Sequence, residues 1–85
     1  MQNLKIGDLN IPLKKIQAYE IDFDKSELTL FLDRELNINS TEFAVTHFEN
    51  ETEVKAILNK GSMNAIADYL AVNDIEPKHR VVFMA

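Results

Sequence analysis

Asp22-Phe23-Asp24-Lys25-Ser26 sets side-chain oxygens at the first, third and fifth positions of a calcium-type loop, and Asp33 falls at the twelfth. That chemistry also needs a glycine at the sixth position for a sharp turn and an oxygen donor at the ninth. Here those places hold Glu27 and Leu30, and a leucine cannot bind a hard cation. Strict alternation through Leu28, Leu30 and Leu32 accounts for the same residues as one arm of a β-hairpin, so no calcium site is expected.

The remaining reactive side chains are equally dispersed. His47 and His79 are the only histidines and cysteine is absent, so a zinc centre would have to recruit carboxylates through the fold. His47 lies in an apolar stretch and reads as a hydrogen-bonded histidine; His79 stands between Lys78 and Arg80, where further positive charge is disfavoured. Ser26, Ser40 and Ser62 each read as a turn or cap residue, and none sits in a Gly-x-Ser-x-Gly elbow. Gly7 and Gly61 are isolated, which excludes a glycine-rich phosphate loop. The expectation is therefore a non-enzymatic chain with no catalytic, metal or cofactor site.

Charge is the strongest feature. Between Glu20 and Glu53 lie ten carboxylates, opposed only by Lys25 and Arg34, a net −8; the rest of the chain carries +3, for an overall −5. A one-signed region attracts basic partners and repels nucleic acid. The candidate partner-binding residues are Glu20, Asp22, Asp24, Glu27 and Asp33, with Phe31 as the one large apolar side chain on the polar face of its hairpin. A second protein with a basic surface is the expected partner, and the acidic face could mimic phosphate if that partner handles nucleic acid. The cysteine-free, Asn- and Ile-rich composition is that of small proteins from A/T-rich phage and mobile-element genomes. The leading expectation is an acidic inhibitor or adaptor of that type.

Two other readings compete. The chain could self-associate, as a structural or assembly protein, through a strand edge or through Phe31 and Phe48. It could instead bind nucleic acid through basic flanks formed by Lys5, Lys14, Lys15, Lys78 and Arg80. Asn50 to Ile75 has a superficial helix-turn-helix spacing in Ile66-Ala67-x-x-Leu70-x-Val72. The stretch after Leu70, Ala71 to Pro77, is short, acidic and broken by proline, and only Lys55 and Lys60 are basic between Glu49 and Pro77. The electrostatic footprint of a DNA reader is missing.

The elements that must position these residues can be read from periodicity. Length and composition predict a single α+β domain over residues 1–85. It has a small antiparallel sheet of about five to six strands, one or two short covering helices and a closing C-terminal strand. Ile6-Gly7-Asp8-Leu9 reads as a two-residue hairpin, after which Leu9, Ile11 and Leu13 share a face and Pro12 marks a strand end or edge. A second hairpin sets Tyr19, Ile21, Phe23, Leu28, Leu30 and Leu32 inward around an Asp24–Glu27 loop. Asn37–Ser40 is a loop, and Thr41–Phe48 a strand with apolar groups on both sides, which suggests that both of its faces are covered.

Asn50–Lys60 fits two patterns. Asn50 as N-cap, Glu53 at the capping-box position and Gly61 beyond the end favour a helix. In that helix Glu49, Glu51 and Glu53 would sit at the positive end of the dipole. Alternation of Val54, Ala56 and Leu58 fits a strand. Ser62 to Asn73 is a helix capped by Ser62, with Met63, Ile66, Ala67, Leu70 and Ala71 as its apolar stripe, and Arg80–Met84 reads as a buried strand.

The N-terminus lacks the apolar run of a secretory signal, and no stretch approaches the roughly 20 apolar residues of a membrane span, so a cytoplasmic location is expected. The Asn39-Ser40-Thr41 and Asn50-Glu51-Thr52 sequons are then chance matches.

Overall fold

Glycine and Asx chemistry set the hairpins. Gly7 has φ +52°, and a side chain there would run into Glu42 and Phe43, so both the turn and the close approach require glycine. Asp8, beside it, turns its carboxylate onto the long loop at residues 34–43. It accepts hydrogen bonds from Ser40 Oγ at 2.7 Å and from the Thr41 N–H at 2.8 Å. The Ser40 hydrogen bond, then that of Thr41, holds the Asp8 carboxyl below its ordinary range. In the second hairpin Asp22 Oδ1 accepts from the N–H groups of Asp24 and Lys25, and Ser26 closes the loop at φ 53°. The calcium-like spacing at Asp22 is thus the signature of an Asx turn.

The computed structural model describes residues 2–78. Six strands precede one helix: β1 Asn3–Ile6, β2 Leu9–Pro12, β3 Ile16–Asp22, β4 Glu27–Asp33, β5 Ala44–His47, β6 Glu51–Ile57 and α1 Lys60–Val72, with a 3-10 turn at Leu13–Lys15. β1 and β2 pair alone; the other four strands form an antiparallel sheet in the order β3-β4-β6-β5. The α+β class is as expected, but the strands divide into two sheets and a single α-helix is present among the described residues. Arg80–Met84, expected as a closing strand, and His79 lie outside the described residues. No described helix is long and apolar enough to cross a membrane.

The inner face of the large sheet carries Tyr19, Leu28, Leu30, Leu32, Val54 and Ala56. These join Leu4, Ile6, Leu9, Ile11 and Leu13 of the first hairpin and Met63 and Leu70 of α1 in one apolar cluster. Each fully buried leucine contributes about 1.5–3 kcal/mol. A bulge at Gln17 keeps Ile16 and Tyr19 both inward, because Ile16 pairs with Leu32 while Ala18 pairs with Phe31.

Four expectations need correcting. Residues 51–57 are a strand, not a helix: β6 lies between β4 and β5 and buries Thr52, Val54 and Ala56 at period two. A buried β4 needs a partner along both edges, and this constraint outweighs the local capping pattern at Asn50 and Glu53. The helix starts earlier than Ser62, because the Asn59 side chain accepts the Ser62 N–H at 2.8 Å; Gly61 falls in its first turn, not past an end. β5 is shorter than Thr41–Phe48 and is an exposed edge, not a strand covered on both faces. Phe23 is 51% exposed, because β3 ends at Asp22 and the loop carries the ring outward toward Lys60.

The end of α1 carries a Schellman motif. Ile75 N–H donates to the Leu70 carbonyl at 2.9 Å and Asp74 N–H to that of Ala71 at 3.0 Å, with Asp74 at φ 64°. Asp74 is strained there, and its charge opposes the negative end of the helix dipole. Asp74→Gly should raise unfolding stability by about 0.5–1 kcal/mol in denaturant titration; a loss of stability would contradict this geometry.

Candidate functional site

The sheet has one face turned away from the core. Strand alternation and register set its rows: Asp22, Glu27 and Ile57; then Glu20, Thr29, Lys55 and Ala44; then Ala18, Phe31, Glu53 and Thr46; then Asp33 and Glu51. Five of the six sequence candidates, Glu20, Asp22, Glu27, Phe31 and Asp33, therefore share one surface. Asp24 stands apart in the loop. A depression of about 200 Å³ lies among Glu20, Asp22, Lys25, Glu27, Thr29, Phe31, Glu53 and Lys55.

Phe31 is not the exposed anchor that its place on a polar face suggested. It is 6% exposed, and the Lys78 ammonium sits 3.9 Å from the ring centre. An ammonium over an aromatic face is attracted by the ring quadrupole, which explains how a cation comes to lie on this residue. The same Lys78 pairs with Glu51 at 3.4 Å, and its backbone N–H donates to the Tyr19 carbonyl at 2.7 Å. Pro77 bridges Tyr19 in parallel, so this segment runs along the outer edge of β3.

The linear charge count does not carry over unchanged into space. Lys15 pairs with Asp33 at 3.6 Å, Lys78 with Glu51, and Lys55 stands in the row of Glu20 and Thr29. These lysines all come from outside the acidic stretch. The Glu35 N–H, 2.9 Å from Asp33 Oδ1, together with Lys15, holds the Asp33 carboxyl below its ordinary range, against a partial opposing effect of burial. Glu53 behaves in the opposite way. Burial pushes its carboxyl up, the neighbouring Glu51 pushes it further, and Lys55 and Lys78 offset only part of the rise.

Glu51, Glu53, Lys55 and Lys78 are members of this face that sequence reading did not assign to it. The signal for the β6 residues was present: Glu51-x-Glu53-x-Lys55 alternates with Thr52, Val54 and Ala56. Lys78 had no such signal, because a contact across the sheet brings it in. His47 pairs its Nδ1 with Thr52 Oγ1 at 3.0 Å on the other face. Among the described residues no three His, Asp or Glu side chains converge on a position that would hold a metal ion. Comparison with known protein families, with curated proteins and with solved structures finds no match.

Glu53 sets a pH dependence whose sign is fixed by its raised proton affinity. The folded chain holds this proton more tightly than the unfolded chain, so stability falls as pH rises from the ordinary glutamate range through the raised value. Glu53→Gln should therefore be more stable than the parent at neutral pH, and the advantage should shrink in acid, where the parent carboxyl is protonated in both states. Chemical denaturation at the two pH values checks this. A uniform loss at both would contradict the burial of Glu53 beside Glu51.

Proposed function

We propose that the chain is a non-enzymatic protein-binding module, an acidic inhibitor or adaptor, whose open sheet face receives a basic side chain of a partner protein. The observation that carries this reading is the gathering of four carboxylates, Glu20, Asp22, Glu27 and Glu53, around one depression in which only Lys25 and Lys55 oppose them. Its volume of about 200 Å³ falls below the ~300 Å³ at which small-molecule pockets begin. A lysine or arginine stem could lie along the base formed by Thr29 and Phe31 while its charged head meets the carboxylates. Glu53 favours such a guest, since an incoming cation offsets the cost of ionising a carboxyl raised by burial and by the neighbouring Glu51.

The basic flanks offer less support for a nucleic-acid role. Lys15 and Lys78 are engaged with Asp33 and Glu51, and Arg80 lies outside the described residues. Charge complementarity of the acidic face with a protein remains the better-supported reading.

Proteins of the native host retained on the immobilised chain should elute as salt rises, because surface electrostatics are screened within about 10 Å at 0.1 M. They should be lost from a Glu27→Lys, Glu53→Lys variant whose circular dichroism is unchanged. Retention that ignores both salt and charge reversal would overturn the proposal.

A further inference from the structure

The two edges of the large sheet are treated differently. The outer edge of β3 is bridged by Pro77 and accepts the Lys78 N–H. Among the described residues no strand pairs with the outer edge of β5. Exposed edges are ordinarily blunted by charge, proline or a bulge, because their unpaired N–H and C=O groups template another strand. β5 is Ala44-Val45-Thr46-His47 and contains no lysine, acid or proline.

The parity of the ladder says which groups are unpaired. Phe48 N–H donates to the Glu51 carbonyl at 2.8 Å, so Phe48 and Glu51 form a hydrogen-bonded pair. At every second position before it, Thr46 with Glu53 and Ala44 with Lys55 are bonded pairs as well. Val45 and His47 therefore direct their backbone N–H and C=O groups away from β6.

From this we infer that the β5 edge is a self-association surface, on which a second copy of the chain pairs antiparallel about a two-fold axis at Thr46. In that register Val45 of one copy faces His47 of the other, and each pair exchanges both of its backbone hydrogen bonds. Centring on Val45 instead would need the Phe43 N–H, which already donates to Ser40 Oγ at 3.0 Å. Centring on His47 would run the second strand into the Glu49–Asn50 turn.

The side chains suit a second copy. Alternation places Ala44, Thr46 and Phe48 on one face, so the two-fold sets Phe48 over Ala44 and Thr46 beside its own counterpart. Phe48, 45% exposed in the single chain, gains a small neighbour to pack on. A Thr–Thr pair is favourable across antiparallel strands, and no carboxylate faces a like charge in this register. The two acidic faces then lie on the same side of one continuous sheet, a geometry independent of whether either binds a basic partner.

Sedimentation velocity over a concentration series, with amide hydrogen exchange on the full chain, tests this. Dimer should form with rising concentration, and the Val45 and His47 amides should gain protection in step with it. Thr46→Lys, at an exposed position, should weaken the dimer roughly tenfold by opposing two ammoniums across the axis. A chain that stays monomeric at high concentration would overturn the inference. So would a dimer that Thr46→Lys leaves intact while Val45 and His47 exchange freely, or protection of these amides that appears only on adding another host protein.

Discussion

Everything in this chain hangs on the burial of β4. Leu28, Thr29, Leu30, Phe31 and Leu32 are all buried, so this strand is covered on both faces and must be hydrogen-bonded along both edges. A backbone polar group left unpaired at such depth costs about as much as a lost hydrogen bond. β3 supplies one edge through a four-residue loop. The other edge has to come from later in the chain, and β6 is the segment that supplies it with an inward apolar row. Once β6 is in place β5 becomes an edge and α1 can start only after Ile57.

The same pairing builds the charged face. β4 alone offers Glu27, Thr29, Phe31 and Asp33. β6 sets Glu51, Glu53 and Lys55 beside them, and Lys78 lies across the ring of Phe31. The surface is acidic yet internally braced: some carboxylates are held by lysines, while Glu53 is left with a carboxyl that resists ionisation. The charge on this face is therefore uneven, with lysines set among the carboxylates, and not the uniform charge that counting along the chain suggests.

Much of the frame was legible in the sequence because it rests on local rules. Gly7 announces a turn that only a positive φ permits, and period-two alternation marks both arms of the second hairpin. The Met63, Ile66, Ala67 and Leu70 stripe marks the helix. The two largest failures arise from contacts distant in sequence. At Asn50–Lys60 local capping chemistry and strand alternation disagree, and the arbiter is the unpaired edge of β4, which no local window contains. Phe31 failed for a related reason, since Lys78 covers it from 47 residues further along the chain. Ser62 reads as the cap, and the side-chain carbonyl of Asn59 takes the role one turn earlier.

The most direct test of this account is the pairing of β4 with β6, measured in solution by cross-strand nuclear Overhauser effects. The register predicts contacts between Leu30 and Val54, between Phe31 and Glu53 and between Leu28 and Ala56. Strong sequential effects of extended backbone should run through residues 51–57. Helical i to i+3 contacts over those residues, with no contact to β4, would contradict it and dissolve the charged face along with the sheet.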